Sequence, residues 1–148
     1  MSDLLGFVSI ALLFLFTMCL ALRWSDIKNI LFVALIIRII ILLFGHYFVT
    51  LPDSTADAET FERIAWEMGQ EGFSHVLSQY NGFTPRFISW LIAIPYSVFG
   101  RSVLMAQSIS IFFGISSILL GYKIAHILWN KNVANKAGWT LALFPSLA

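Results

Sequence analysis

Most carboxylates of this sequence lie in one short stretch, residues 51–73. Six of the eight Asp and Glu residues fall between Asp53 and Glu71. Charged residues make up only 11% of the 148 residues, so this stretch is where water and chemistry can be expected. Carboxylates move protons and bind ligands, which makes Asp53 and Asp57 candidate functional residues. The ordinary alternatives are a helix cap for Asp57 and a turn residue for Asp53.

Two arginines are candidate anion ligands. Arg86 follows a polar segment, and a guanidinium can bind two phosphate oxygens at once. Its alternative role is that of a charged anchor at the membrane interface. Arg38 interrupts an apolar run, where it either snorkels to the nearby interface or contacts a lipid phosphate or buried carboxylate. His46 and His75 lack metal-ligand spacing, so the sequence predicts no metal site.

Composition places the chain among membrane proteins. It is 59% hydrophobic, and its charged fraction is less than half of the roughly 25% found in soluble domains. The net charge is +1 and no basic cluster is of the kind that binds nucleic acid. Cys19 is the single cysteine, which excludes a disulfide framework and a zinc site of the usual kind.

Long apolar runs predict membrane-spanning helices, because each can cross about 30 Å of hydrocarbon. These runs cover residues 4–22, 29–50, 103–128 and, incompletely, 137–148. Basic residues in the link after the first run and following the third run predict that these ends face the cytoplasm. The N-terminus and residues 51–101 would then lie outside. Small residues along the third run predict close helix packing there; they are Ala106, Ser110, Gly114, Ser117 and Gly121.

Residues 51–101 are expected to form an external segment with helices at the membrane surface. Apolar residues recur at helical spacing after Asp57, and the charged residues take the other side. That helix is expected to end at Gly69 and Gly72, and Ser74–Thr84 is expected to be a loop. Phe87–Phe99 is short for a span and contains Pro95, which favours an interfacial helix. The glutamates are assigned to a solvated helix face; they are Glu59, Glu62, Glu67 and Glu71.

Residues 57–68 have the sequence Asp-Ala-Glu-Thr-Phe-Glu-Arg-Ile-Ala-Trp-Glu-Met, and Pro85, Trp90-Leu91, Tyr96, Phe99-Gly100 and Ala142-Leu143-Phe144-Pro145 follow. Their order resembles the amino-terminal part of GT-C glycosyltransferases, the polytopic class that uses lipid-phosphosugar donors. The similarity is greatest to the branch of protein O-mannosyltransferases and bacterial lipid A aminoarabinose transferases. Members of that branch often carry Asp-Glu-Ala-x-Tyr-x-x-Ile-Ala-x-Glu-Met. The resemblance covers roughly residues 30–148.

The resemblance implies that Asp57 acts in catalysis, as general base or as orienter of the acceptor. Inverting transfer from a polyprenyl-phosphate sugar needs a carboxylate to take the acceptor proton and a cation to steady the departing phosphate. The family's Glu-Lys pair is Phe83-Thr84 here, so its metal and phosphate ligands are missing at those positions. Arg86 could supply the cation, and a divalent cation is left open as a cofactor. Gln107 stands where the family often has Arg.

The sequence therefore predicts an all-α, polytopic membrane protein with a GT-C-like amino-terminal part and amphipathic juxtamembrane helices in an external loop. The expected function is sugar transfer from a polyprenyl-phosphate donor to an acceptor lipid, glycan or protein on the outer face. Asp57 is the expected catalytic residue, and the expected substrate-binding residues are Arg86, Asp53 and Arg38. The expected location is the bacterial plasma (inner) membrane, with the N-terminus outside.

Two alternatives stay open. One is a non-enzymatic membrane protein, such as a transporter or assembly subunit, whose acidic loop binds a partner. The other is a lipid-linked oligosaccharide polymerase or flippase, in which 87–99 would be a true span. Because the fourth run stops after 12 residues, we expect a longer protein whose second catalytic carboxylate follows Ala148. The 148 residues alone are expected to be inactive.

Overall fold

The protein is all-helical in a computed structural model that describes residues 2–48 and 56–144, with side chains given for 3–48 and 58–144. Within these ranges no strand occurs, so the predicted all-α class is confirmed. The helices are α1 (Ser2–Arg23), α2 (Lys28–Tyr47), α3 (Ala56–Gln70), α4 (Phe73–Ser78), α5 (Phe87–Phe99), α6 (Val103–Leu128) and α7 (Lys131–Leu143). Helices α1, α2 and α6 are long and apolar enough to cross a membrane.

Helices α1, α2, α6 and α7 pack into one bundle around a core of branched aliphatic side chains, among them Leu31, Leu35 and Ile115. The amino-terminal halves of α1 and α6 lie against each other, where the Ser108 hydroxyl donates to Ser9 Oγ at 3.0 Å. Helix α2 follows α1 after a short turn, so it runs back along both. As a result, α2 ends and α6 begins at the same end of the bundle.

The opposite end of the bundle holds the two turns that carry the basic residues. Lys131 Nζ lies 2.6 Å from Asp26 Oδ1 and joins the start of α7 to the turn between α1 and α2. Helix α7 begins at Lys131, earlier than the predicted fourth span at Ala137. Asn130 explains the difference, since its side chain accepts a hydrogen bond from the Val133 amide at 3.0 Å and caps the helix.

Glycines let the bundle helices approach closely. A Cβ at Gly6 of α1 would overlap Leu104 of α6, and one at Gly121 would lie 2.7 Å from Leu141 Cδ1. The expected small-residue packing along α6 is therefore present at Gly114 and Gly121. Ser110 and Ser117 of the same set are exposed, because the packed face of α6 turns away from them.

Helices α3, α4 and α5 form a second unit beside the start of α6. Its core contains Ala65, Val76 and Ala93. Helix α3 ends at Gln70, between Gly69 and Gly72, where the sequence predicted its end. A Cβ at Gly69 would lie 3.1 Å from Tyr96 Cβ, so the lack of a side chain there also lets α3 lie against α5. Residues 73–78 are helical, not a loop, and Gly72 before them has φ +93°, which suits glycine.

Candidate functional site

Glu62 of α3 is buried, contrary to its expected place on a solvated face. It is 9% exposed, and its carboxylate receives two hydrogen bonds from Arg101, from Nε at 3.0 Å and Nη2 at 2.7 Å. The Tyr96 hydroxyl lies 2.9 Å from Glu62 Oε1 and 3.0 Å from the Ser102 carbonyl oxygen. These contacts join α3, α5 and the start of α6 through one carboxylate.

The interactions within this cluster set the protonation states of Glu62 and Tyr96. Hydrogen bonds from Arg101 lower the pKa of Glu62, against the opposing effect of burial, and Tyr96 lowers it further. Burial and the neighbouring carboxylate raise the pKa of the Tyr96 hydroxyl, which therefore stays protonated and able to donate. A carboxylate held ionised by a bidentate guanidinium is a poor proton acceptor. Glu62 is therefore suited to fixing α3 and unsuited to general-base chemistry.

The sequence contained a signal for the burial of Glu62. At helical spacing it shares a face with Ala58, Ala65 and Gly69, which lie four before, three after and seven after it. The assignment to the solvated face followed residue type, and it was wrong because a partner cation, Arg101, comes from far along the chain. Arg101 and Tyr96 are the residues that sequence reasoning missed in this role. No local pattern pairs them with Glu62.

A cavity of about 640 Å³ opens between α3, α4 and the segment leading into α5. Arg86 lines it and is exposed, with no ion pair among the described side chains. Tyr80 and Trp90 form an aromatic wall, with ring centroids 4.8 Å apart. The Trp90 indole donates to the Val76 carbonyl at 2.7 Å, which fixes the ring against α4. The cavity thus offers aromatic faces beside a free guanidinium.

Acidic groups line the α3 side of the same cavity. Glu71 Oε2 lies 2.9 Å from His75 Nε2, and Gln79 Nε2 lies 3.3 Å from the same ring nitrogen. Glu67 also lines the cavity and is exposed. The arrangement places hydrogen-bond donors and acceptors around a solvent-open space. Such a lining suits a polyhydroxylated ligand, and Arg86 is the lining group that would attract an anionic part of it.

Asp57 lies in the first turn of α3, and its side chain is outside the part that the structure describes. Asp53 lies outside the described residues altogether. The cavity wall begins at Ile64, about two helical turns, or roughly 10 Å, beyond Asp57. A ligand in the cavity must extend along α3 to reach the backbone position of Asp57.

Arg38 lies inside the bundle and does not snorkel to an interface. It is 6% exposed, and its two terminal nitrogens donate to the Ala142 and Leu141 carbonyl oxygens at 3.3 Å each. A Cβ at Gly114 would lie 2.9 Å from Arg38 Nε, so that glycine makes room for the guanidinium. Arg38 thus satisfies the free carbonyls at the end of α7, and its positive charge also interacts favourably with the negative end of the helix dipole there.

The side chains that the structure describes contain no cluster of metal ligands. Over residues 58–144 and 3–48, no three His, Cys, Asp or Glu side chains come together. Glu71 and His75 form a pair only, and they are hydrogen-bonded to one another.

Comparison with protein-family models, curated proteins and solved structures finds no match to this chain.

Proposed function

We propose that this chain is part of a multi-pass membrane glycosyltransferase. It would move a sugar from a polyprenyl-phosphate donor to an acceptor on the outer face of the membrane. The observation that carries this proposal is the cavity beside α3, in which Arg86 stands next to the Tyr80 and Trp90 rings. Its volume of about 640 Å³ lies in the range of small-ligand sites, about 300–1,000 Å³.

The position of the cavity in the chain supports a lipid-linked donor. Residues 56–101 connect α2 to α6 at one end of the bundle, and the basic turns lie at the other end. Positive charge near span ends marks the cytoplasmic side, so the cavity would face outward at the membrane surface. A polyprenyl tail could remain in the bilayer while its phosphate and sugar reach the cavity.

The roles of the residues follow from the chemistry of transfer. Arg86 would bind the donor phosphate through two oxygens. The acceptor oxygen would attack the anomeric carbon, and this new bond would form as the bond from the same carbon to the phosphate oxygen breaks. Asp57 would take the acceptor proton. The sugar would lie between Asp57 and the Arg86 side of the cavity. Glu62 would serve as a positioning residue, because its bonds to Arg101 fix α3.

Arg38 is left without a role in donor binding, because its guanidinium is buried and bonded to the α7 carbonyls. Asp53 stays a predicted ligand of the acceptor.

The cavity assignment is tested by steady-state transfer with the complete protein and a polyprenyl-phosphate sugar. Arg86→Gln should raise the donor KM on the order of tenfold or more, because a charge-assisted bond to phosphate is lost. Arg86→Lys should recover part of the loss. Arg63→Gln is the matched control, since Arg63 is an exposed arginine of α3 outside the cavity. An unchanged donor KM in Arg86→Gln, or no transfer by the wild type, would contradict the proposal.

A further inference from the structure

A second cavity lies at the other end of the bundle, between the turn after α1 and the last turns of α6. It has a volume of about 310 Å³. Its basic lining comes from Arg23, Lys123 and His126, and its apolar lining includes Leu119 and Ile127. Basic groups on one side and hydrocarbon on the other give this cavity an amphipathic character.

Its positive charge is largely uncompensated. Asp26 is the carboxylate of the lining, and it is bound to Lys131 at 2.6 Å. That bond raises the pKa of Lys131 and lowers the pKa of Asp26, so both stay charged at neutral pH. Among the described residues Arg23 has no ion pair. Lys123 Nζ lies 3.7 Å from the centre of the Trp24 ring, a cation–π contact that leaves its charge unneutralised.

A buried hydroxyl belongs to the same lining. Tyr122 is 6% exposed, and its hydroxyl has no hydrogen-bond partner among the residues that the structure describes. Buried hydroxyls are normally paired with a protein group or a water, so the Tyr122 hydroxyl can take a further partner. The Tyr122 ring is stacked on that of His126, with centroids 6.1 Å apart. Tyrosine and histidine therefore add polar donors to the two cations.

The apolar wall distinguishes a lipid from a free anion. Ile127 is 80% exposed and Leu128 beside it 63% exposed, so the cavity continues onto an apolar surface at the end of a candidate span. Trp24 sits at the same level, as tryptophans do at membrane interfaces. A free phosphate would use the cations and leave that surface unused. A phospholipid would use both.

We propose that this cavity binds the phosphate of an anionic phospholipid, with Arg23 and Lys123 on the headgroup and the acyl chains along Leu119 and Ile127. This site is separate from the cavity beside α3. It holds the α1–α2 turn and the last turns of α6 against one lipid, and it does not depend on the proposed sugar transfer.

Binding of phosphatidylglycerol and phosphatidylcholine to the full chain in detergent, measured by native mass spectrometry, tests the site. Arg23→Gln combined with Lys123→Gln should weaken phosphatidylglycerol binding on the order of tenfold or more, since each basic residue contributes several-fold. The matched control is Lys28→Gln with Lys136→Gln, which removes two exposed charges outside the cavity. That control should change binding less than threefold, roughly the effect of general electrostatics.

Lys123→Arg keeps the charge and should retain binding. Retained binding would show that a change at position 123 does not by itself misfold the protein. An equal loss in both double variants would overturn the proposal. Equal affinity of the wild type for phosphatidylcholine would overturn it as well. Displacement of phosphatidylglycerol by inorganic phosphate at matched concentration would assign the site to a free anion instead of a lipid.

Discussion

Among the residues of the acidic stretch, Glu62 has a structural role that the exposed glutamates do not share. Its carboxylate is buried and bound by Arg101 and Tyr96, whereas Glu59 and Glu67 are exposed. Acidic composition alone cannot make this distinction, because the pairing partner lies 39 positions away in the sequence. The proposal gives a catalytic role to Asp57, in the first turn of α3.

The Glu62 cluster predicts a pH-dependent difference between wild type and Glu62→Gln. The pKa of Glu62 is lowered in the folded protein, so its contribution to the free energy of unfolding is complete above the unfolded pKa of about 4.3. The contribution is lost as the pH falls through the lowered folded value. At neutral pH the variant should be less stable by roughly 1–3 kcal/mol, a figure reduced by the half-exposed Arg101.

Unfolding in detergent should be followed for both proteins from about pH 7 to about pH 3. The difference should shrink on the acid side. Arg63→Gln serves as control, because it breaks only the exposed pair with Glu67, whose atoms are 3.9 Å apart, and should cost less than about 0.5 kcal/mol. A Glu62→Gln difference that is absent at neutral pH, or that grows on acidification, would refute the structural role of this carboxylate.

At the level of the helices, the sequence predicted long apolar elements well and short polar ones poorly. Helices α5 and α6 have the bounds expected from their apolar runs, because hydrophobicity and length decide them. Helix α4 was missed since six residues carry too little periodicity to detect. Helix α7 begins at Lys131, six residues before the predicted span at Ala137, because the Asn130 cap sets the start of the helix.

Helix α3 ends at Gln70, next to Gly69 as predicted, and Gly69 also lets α3 pack on α5. Gly69→Val should destabilise the protein by roughly 1–3 kcal/mol, because the added side chain meets Tyr96 and the α5 backbone. The free energy of unfolding in detergent measures the effect. Gln70→Val is the control. It introduces the same β-branched side chain into the same helix, at a position that is exposed. Equal destabilisation by the two variants would mean that the α3–α5 contact is not tight.

On the scale of the whole molecule, the bundle has two chemically different ends. One carries α3, α4 and α5 with the Arg86 cavity, and the other carries the basic turns joined by Asp26 and Lys131. The positions of the basic residues along the sequence predicted this charge asymmetry. It could not predict which side chains meet, because the Asp26–Lys131 and Glu62–Arg101 pairs connect positions distant along the chain.

The two ends should lie on opposite sides of the membrane. In a Cys19→Ser background, a cysteine at exposed Asn81 should react with an impermeant maleimide added from outside, and one at exposed Asn132 should not. Permeabilising the membrane should make both reactive, which controls for accessibility. Labelling of both positions from the same side in sealed cells would contradict the topology.

The proposed sugar transfer depends most on Asp57 acting as the base. It is tested by sugar transfer by the complete protein from a saturating polyprenyl-phosphate donor, comparing wild type, Asp57→Asn and Glu59→Gln. Asp57→Asn should lower kcat by roughly a hundredfold or more, the usual contribution of a general base. Glu59→Gln removes an exposed charge on the same helix and should leave kcat unchanged. Transfer by Asp57→Asn at the wild-type rate would refute a catalytic role for Asp57.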